Sequence, residues 1–149
     1  MSVLDEVRNL YAKYLEEALS AEKKQKLTDG MFGFGKKAAD DPCHSAFYEA
    51  LKALLEAYAG ETPDSGCVSE ILSFIYQEPL HHREPPSIYW MLIAAHGLTS
   101  SLTETLSAKD AAALYEAYSK NYSRWELLPV QKDIYRRLKK IAKQKEENK

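Results

Sequence analysis

Apolar residues recur at three- and four-residue steps through six stretches of the chain, the period of a helix with one buried stripe. In the first stretch, about 2–26, Val3, Leu4, Val7, Leu10, Tyr11, Tyr14, Leu15 and Ala18 share a face, and Asp5, Arg8, Lys13, Glu16 and Glu17 fall largely on the other. A second helix is predicted over 42–59. Asp40 or Asp41 can cap it, Pro42 suits its first turn, Gly60 ends it, and Phe47, Leu51, Leu54, Leu55 and Tyr58 form its stripe. A third, over 65–77, carries Val68, Ile71, Leu72 and Ile75 and stops before Pro79.

The fourth stretch, 86–102, reads SIYWMLIAAHGLTSSL after Pro86 and is apolar nearly all round, so it belongs in the middle of a bundle. Ser107 and Asp110 form a capping box for a fifth helix, 108–123, with Ala111, Leu114, Tyr115, Tyr118 and Tyr122 as its buried face. The sixth, 129–146, opens at Pro129 and carries Val130, Ile134, Leu138 and Ile141 on one stripe. No stretch alternates as a half-buried strand does, and β-branched residues are sparse. The expectation is an all-α fold, a single domain over 1–149 built as an antiparallel bundle of five to six helices with the fourth helix central. The YEA echo at 48–50 and 115–117 is too short, in common helix formers, to signal a duplication.

Composition changes this picture little. A chain of 149 residues hides roughly 70% of its unfolded surface on folding, enough for a core without staples. The fractions of 45% apolar and 28% charged residues are those of a globular protein. With acidic residues among the first twenty, no secretory signal is expected there. The longest nearly uncharged apolar run, 88–98, is about half of the roughly 20 residues a bilayer requires. A cytoplasmic location without a membrane partner is expected. Two cysteines, Cys43 and Cys67, are too few for a disulfide framework.

Charge is uneven although the net is only −2. From Pro129 to the C-terminus eight basic residues face three acidic ones, a local +5 that leaves −7 on the rest. Lys132, Arg136, Lys139, Lys140 and Lys143 form a broad basic face opposite the apolar stripe. Such a face can take an acidic partner, DNA or RNA. With no aromatic residue read onto it, its plainer role is to complement the helix dipole and keep the tail solvated. Nucleic acid is the less favoured partner.

Candidate chemistry is sparse. If the second and third helices form a hairpin, the loop carrying His81 and His82 returns to the start of the second helix. Cys43, His44, His81 and His82, with Glu78 or Glu84 nearby, could then supply ligands for zinc or another divalent metal. No HExxH and no paired CxxC supports that grouping, so solvated side chains are the plainer reading. The hairpin also keeps Cys43 far from Cys67, beyond disulfide reach. Cys43 in a first helical turn could be a reactive thiolate helped by His44, but nothing supplies an oriented base or oxyanion site.

The connector 28–40, TDGMFGFGKKAAD, is predicted to break the helix at its glycines. It resembles a phosphate cradle in composition and fails its spacing. Phe32 and Phe34 there read as a cap on the bundle end, or as an exposed interface anchor. Trp125, beside Leu127 and Leu128, is a candidate interface residue. His96 reads as a buried histidine bonded to a tyrosine or a carbonyl, with a ligand pocket shared with Trp90 as the alternative. Taken together, the sequence favours a non-catalytic helical protein that binds another protein or a second copy of itself. A metal- or small-ligand-binding bundle and a nucleic-acid accessory protein are the alternatives.

Overall fold

The computed structural model describes residues 2–32, 41–122 and 127–147, side chains included except at 26–32 and 145–147. The described chain is an all-α helical bundle. Its helices are α1 (Val3–Phe32), α2 (Pro42–Ala59), α3 (Ser65–Gln77), α4 (Pro86–Ala94), the short α5 (Ser100–Thr103), α6 (Ala108–Asn121) and α7 (Pro129–Glu147). Two 3₁₀ turns join them, Glu78–His81 after α3 and Ala95–Thr99 between α4 and α5. No described helix is long and apolar enough to cross a membrane.

The helices bury the centre of each stripe that their spacing predicts, with residues at its margins, such as Leu10, Tyr58, Tyr115 and Val130, partly buried. Val7, Tyr11, Tyr14 and Ala18 go inside from α1, and His44, Phe47, Leu51 and Leu55 from α2. From α3 come Val68, Ile71, Leu72, Ile75 and Tyr76, and from α7 Gln131, Ile134, Leu138 and Ile141. A fully buried Leu or Ile contributes about 1.5–3 kcal/mol, so these four stripes carry most of the apolar driving force. α6 packs most extensively on α7, α1 lies against α2 and α3, and α3 also meets α6.

The starts follow local chemistry. Asp41, not Asp40, caps α2, its Oδ1 accepting from the Cys43 N–H at 2.9 Å. Asp64 caps α3, accepting from the N–H groups of Gly66 and Cys67. The box at α6 is modified. Ser107 Oγ accepts from Asp110 N at 3.1 Å, but Asp110 does not reach back. Ser65 stands between instead, accepting from Ser107 N at 2.7 Å and donating to Asp110 Oδ2 at 2.5 Å. One hydroxyl from the first turn of α3 thus completes the start of α6.

Two expectations are corrected. Gly30 does not break the first helix, which runs on to Phe32. A helical glycine costs only about 1 kcal/mol, too little to stop a long amphipathic helix. The fourth stretch is also not one helix. Thr99 Oγ1 donates to the His96 carbonyl at 2.8 Å, Ser100 Oγ to Gly97 at 3.3 Å and Thr103 Oγ1 to Ser100 at 2.7 Å. These back-bonds to the third preceding residue compete with helical bonding and accompany the tightened 3₁₀ turn. That turn, rather than a whole helix, touches α2, α3, α4, α5 and α7. A side chain at Gly97 would bring its Cβ within 3.2 Å of Val130, so glycine lets the turn sit close to α7.

Candidate functional site

His96 projects from this turn into the interior with no exposed surface. Its Nδ1 lies 2.8 Å from the Tyr118 hydroxyl. Around it stand the rings of Tyr76, Tyr118 and Tyr122, with centroids 5.1, 5.6 and 5.9 Å away. The Tyr76 hydroxyl meets Thr99 Oγ1 at 2.7 Å, and the Tyr122 hydroxyl donates to the Tyr76 carbonyl. Burial depresses the His96 pKa to about 3, only partly opposed by the Ile75 carbonyl near the ring. Burial likewise raises Tyr76, Tyr118 and Tyr122 above the usual phenol range. At neutral pH this is an uncharged, largely bonded cluster: the core histidine that the sequence predicts. Trp90 is not part of it and is half in solvent, with 51% of its surface exposed.

A second histidine–tyrosine pair joins α1 to α2. His44 Nδ1 lies 2.7 Å from the Tyr14 hydroxyl, and Tyr14 stacks on Phe47 with centroids 4.4 Å apart. Cys43 is buried beside it. Burial and then the Asp41 carboxylate push its thiol up to about 12, outweighing the helix-start N–H that favours a thiolate. This disfavours a reactive thiolate at Cys43, because the cap that starts the helix also places a negative charge next to the sulfur. Cys67, exposed in the first turn of α3, is likewise raised by Asp64. Both cysteines are free.

The candidate metal group is not assembled. Among the described residues no three His, Cys, Asp or Glu side chains come together to hold an ion. His44 turns inward to Tyr14 and Cys43 is buried beside Asp41. His81 is exposed, and His82 Nε2 pairs with Glu78 Oε1 at 3.2 Å within its own turn.

The basic face of α7 carries cations without an ion pair among the described residues. Lys132, Arg136 and Lys139 line a cleft of about 380 Å³ with Tyr115, Leu127 and Tyr135. None of the three cations has a carboxylate partner among the described residues. The adjacent Arg137 contrasts with them: its Nε donates to Asp133 Oδ2 at 2.8 Å and its Nη1 lies 3.9 Å from Glu104. Arg136 also borders a smaller cleft of about 240 Å³ with Glu104, Arg137, Lys140, Ile141 and Gln144. Lys143 is exposed further along the helix.

Two tyrosines escaped the sequence reading of this face. Tyr115, on the predicted buried stripe of its helix, is only half-buried. Tyr135 lies three residues after Lys132 and four before Lys139, on the same side. The two rings meet edge to face at 5.6 Å and 82°. Tyr135 is held from behind, its hydroxyl donating to the carbonyls of Tyr118 and Tyr122 at 3.2 and 3.4 Å. The absence of aromatic groups on the basic face is therefore corrected.

Of the candidate interface residues, Phe34 and Trp125 lie outside the described residues. Phe32 closes α1, its side chain outside them. Leu19, 44% exposed, and Trp90 are the large apolar side chains open to solvent among the described residues. The chain matches no family model, and comparison with curated proteins and with solved structures finds no match.

Proposed function

We propose that this is a non-catalytic helical binding protein that holds an acidic partner protein in the cleft between α6 and α7. One observation carries the reading: Lys132, Arg136 and Lys139 border an apolar cleft with no carboxylate among its described lining residues and no ion-pair partner for any of the three. Lys132, Arg136 and Lys140 stand at four-residue steps on one helix, where like charges cost about 0.2–0.5 kcal/mol per pair. An arrangement that is unfavourable in the free chain is relieved by an anionic partner. Groups with neutral-pH chemistry elsewhere support a non-catalytic role. His96 is buried and uncharged, and the Cys43 thiol is raised far from a thiolate.

The test is fluorescence anisotropy with a labelled glutamate-rich peptide, titrated at low and physiological salt. Wild type is expected to bind with an affinity that falls as salt rises. The variant K132E/R136E/K139E is expected to lose binding while unfolding in urea as wild type does. Equal binding by both chains overturns the reading. A second reading, single-stranded nucleic acid, is favoured by the tyrosine rings beside the cations. A labelled oligothymidylate in the same assay separates the two.

A further inference from the structure

We infer that the α6–α7 cleft is an anchor site for one aromatic side chain, flanked by carboxylates, on a short acidic segment of the partner. The inference rests on the acidic-partner reading and narrows it. The cleft, about 380 Å³, falls at the small end of ligand-sized pockets. A docked helix needs a groove long enough for three or four anchors at helical spacing, and a pocket of this size holds one.

Its walls and rim differ in chemistry. Tyr115, Leu127 and the Tyr135 ring supply apolar surface, and Lys132, Arg136 and Lys139 supply cations. The Tyr135 wall is set before any ligand arrives. Its hydroxyl is bonded to two carbonyls of α6 and the following turn, and its ring packs edge-on against Tyr118 at 5.1 Å. A pre-ordered aromatic wall lowers the entropy cost of seating a side chain and favours a ring, which can meet it edge to face.

The rim sets the spacing of the flanking acids. Lys132 and Lys139 are seven residues apart on α7, about 10 Å along the axis at 1.5 Å per residue. An extended peptide covers that span in about three residues at 3.3–3.6 Å each. Two carboxylates three positions apart therefore bracket an aromatic residue seated between them. The cations beside the ring, Lys132 and Lys139 at the ends and Arg136 between, meet both acids at once.

A single strand of nucleic acid fits less well. Successive bases need a row of open ring faces, whereas Tyr115 and Tyr135 meet edge to face and offer one cleft. The −7 carried by the rest of the chain also repels a long polyanion more than a short peptide.

The experiment compares two fluorescein-labelled peptides, GEEWEEG and GEEAEEG, and a twelve-residue oligothymidylate on the full chain. The tryptophan peptide is expected to bind about tenfold or more tightly than the alanine peptide, the size of a buried aromatic anchor. Tyr115→Ser is expected to reduce that preference to about twofold or less, with residual salt-sensitive binding of both peptides. Since Tyr115 is half-exposed, urea unfolding of the variant checks its folding, and the wild-type comparison stands without it. Equal binding of the two peptides overturns the anchor and leaves the acidic-partner reading intact. Binding of neither peptide overturns both, whether or not the oligonucleotide binds. Light scattering completes the set: a salt-sensitive self-complex that the tryptophan peptide fails to displace also overturns the anchor.

Discussion

On one side of the α6–α7 seam, Tyr118 and Tyr122 stand in a dry cluster where His96, Thr99 and backbone carbonyls take up their hydroxyls and those of Tyr76. On the other side, Tyr115 and Tyr135 line an open cleft beside three cations that nothing described neutralises. α6 contributes to both surfaces, meeting α3 and the 3₁₀ turn on the inner side and α7 on the outer. On the inner side the three tyrosine hydroxyls and His96 Nδ1 are matched within the chain, while His96 Nε2 has no hydrogen-bond partner among the described residues. On the outer side the cations are left unmatched, and a matching group has to come from elsewhere. The inner side is thus where substitutions are expected to change stability, and the outer side where they are expected to change binding.

The sharpest way to break this division is to damage the dry side. Tyr118→Ala is expected to cost about 3–5 kcal/mol in urea unfolding, the range for removing a buried ring. Tyr118→Phe, which leaves His96 Nδ1 without its hydroxyl, is expected to cost about 1–3 kcal/mol. A negligible change in both would show that the cluster does not hold the seam.

Damage to the wet side comes next. The variant K132E/R136E/K139E is expected to weaken peptide binding by about a hundredfold, or about 2.7 kcal/mol, with unfolding free energy within about 0.5 kcal/mol of wild type. A loss of stability as large as the loss of binding would erase the distinction.

Acid sharpens the contrast further. The folded chain holds His96 at a pKa of about 3 against an ordinary 6.5. Between those values the unfolded chain binds the proton and the folded one does not. Stability from this group is therefore complete above about pH 6.5 and falls as pH drops toward 3, by up to about 1.4 kcal/mol per unit. His96→Gln, which cannot titrate, is expected to show a correspondingly shallower loss between pH 6 and 4. Parallel curves would mean that His96 is charged or solvated in the folded state.

Tyr11 offers a control on the inner hydroxyls. It is buried, but its hydroxyl has no partner among the described residues. Tyr11→Phe is expected to leave stability unchanged or raise it by about 1 kcal/mol, opposite in sign to Tyr118→Phe. The smallest expected difference separates two adjacent arginines. Arg137→Ala, losing its pairs with Asp133 and Glu104, costs about 0.3–0.5 kcal/mol. Arg136→Ala is expected to be neutral in unfolding and to weaken the peptide.

The helices were legible because their stripes are regular. α2 and α3 fall on the predicted 42–59 and 65–77, since Asp41, Pro42, Gly60 and Asp64 mark the ends chemically. Illegible features arose where one residue answers to a neighbour distant in sequence. Ser65 intrudes into the cap at Ser107, and nothing local announces it. The 3₁₀ turn was signalled by Gly97, Thr99, Ser100 and Thr103, but the apolar run around them reads as continuous helix. At the candidate site the cations were visible and the tyrosines were not. Tyr115 lies at the margin of its stripe, where spacing alone does not decide between core and cleft.

The 3₁₀ turn has a consequence for how the bundle comes apart. Five residues, Ala95–Thr99, touch α2, α3 and α7 as well as the α4 and α5 that they join, so α2, α3 and α7 cannot move apart without disturbing this turn. Ala95, His96 and Thr99 are buried in it, beyond the reach of fraying at a chain end. Their amide hydrogens are expected to exchange only when the whole bundle opens, which makes this short irregular piece, rather than any long helix, the reporter of global cooperativity.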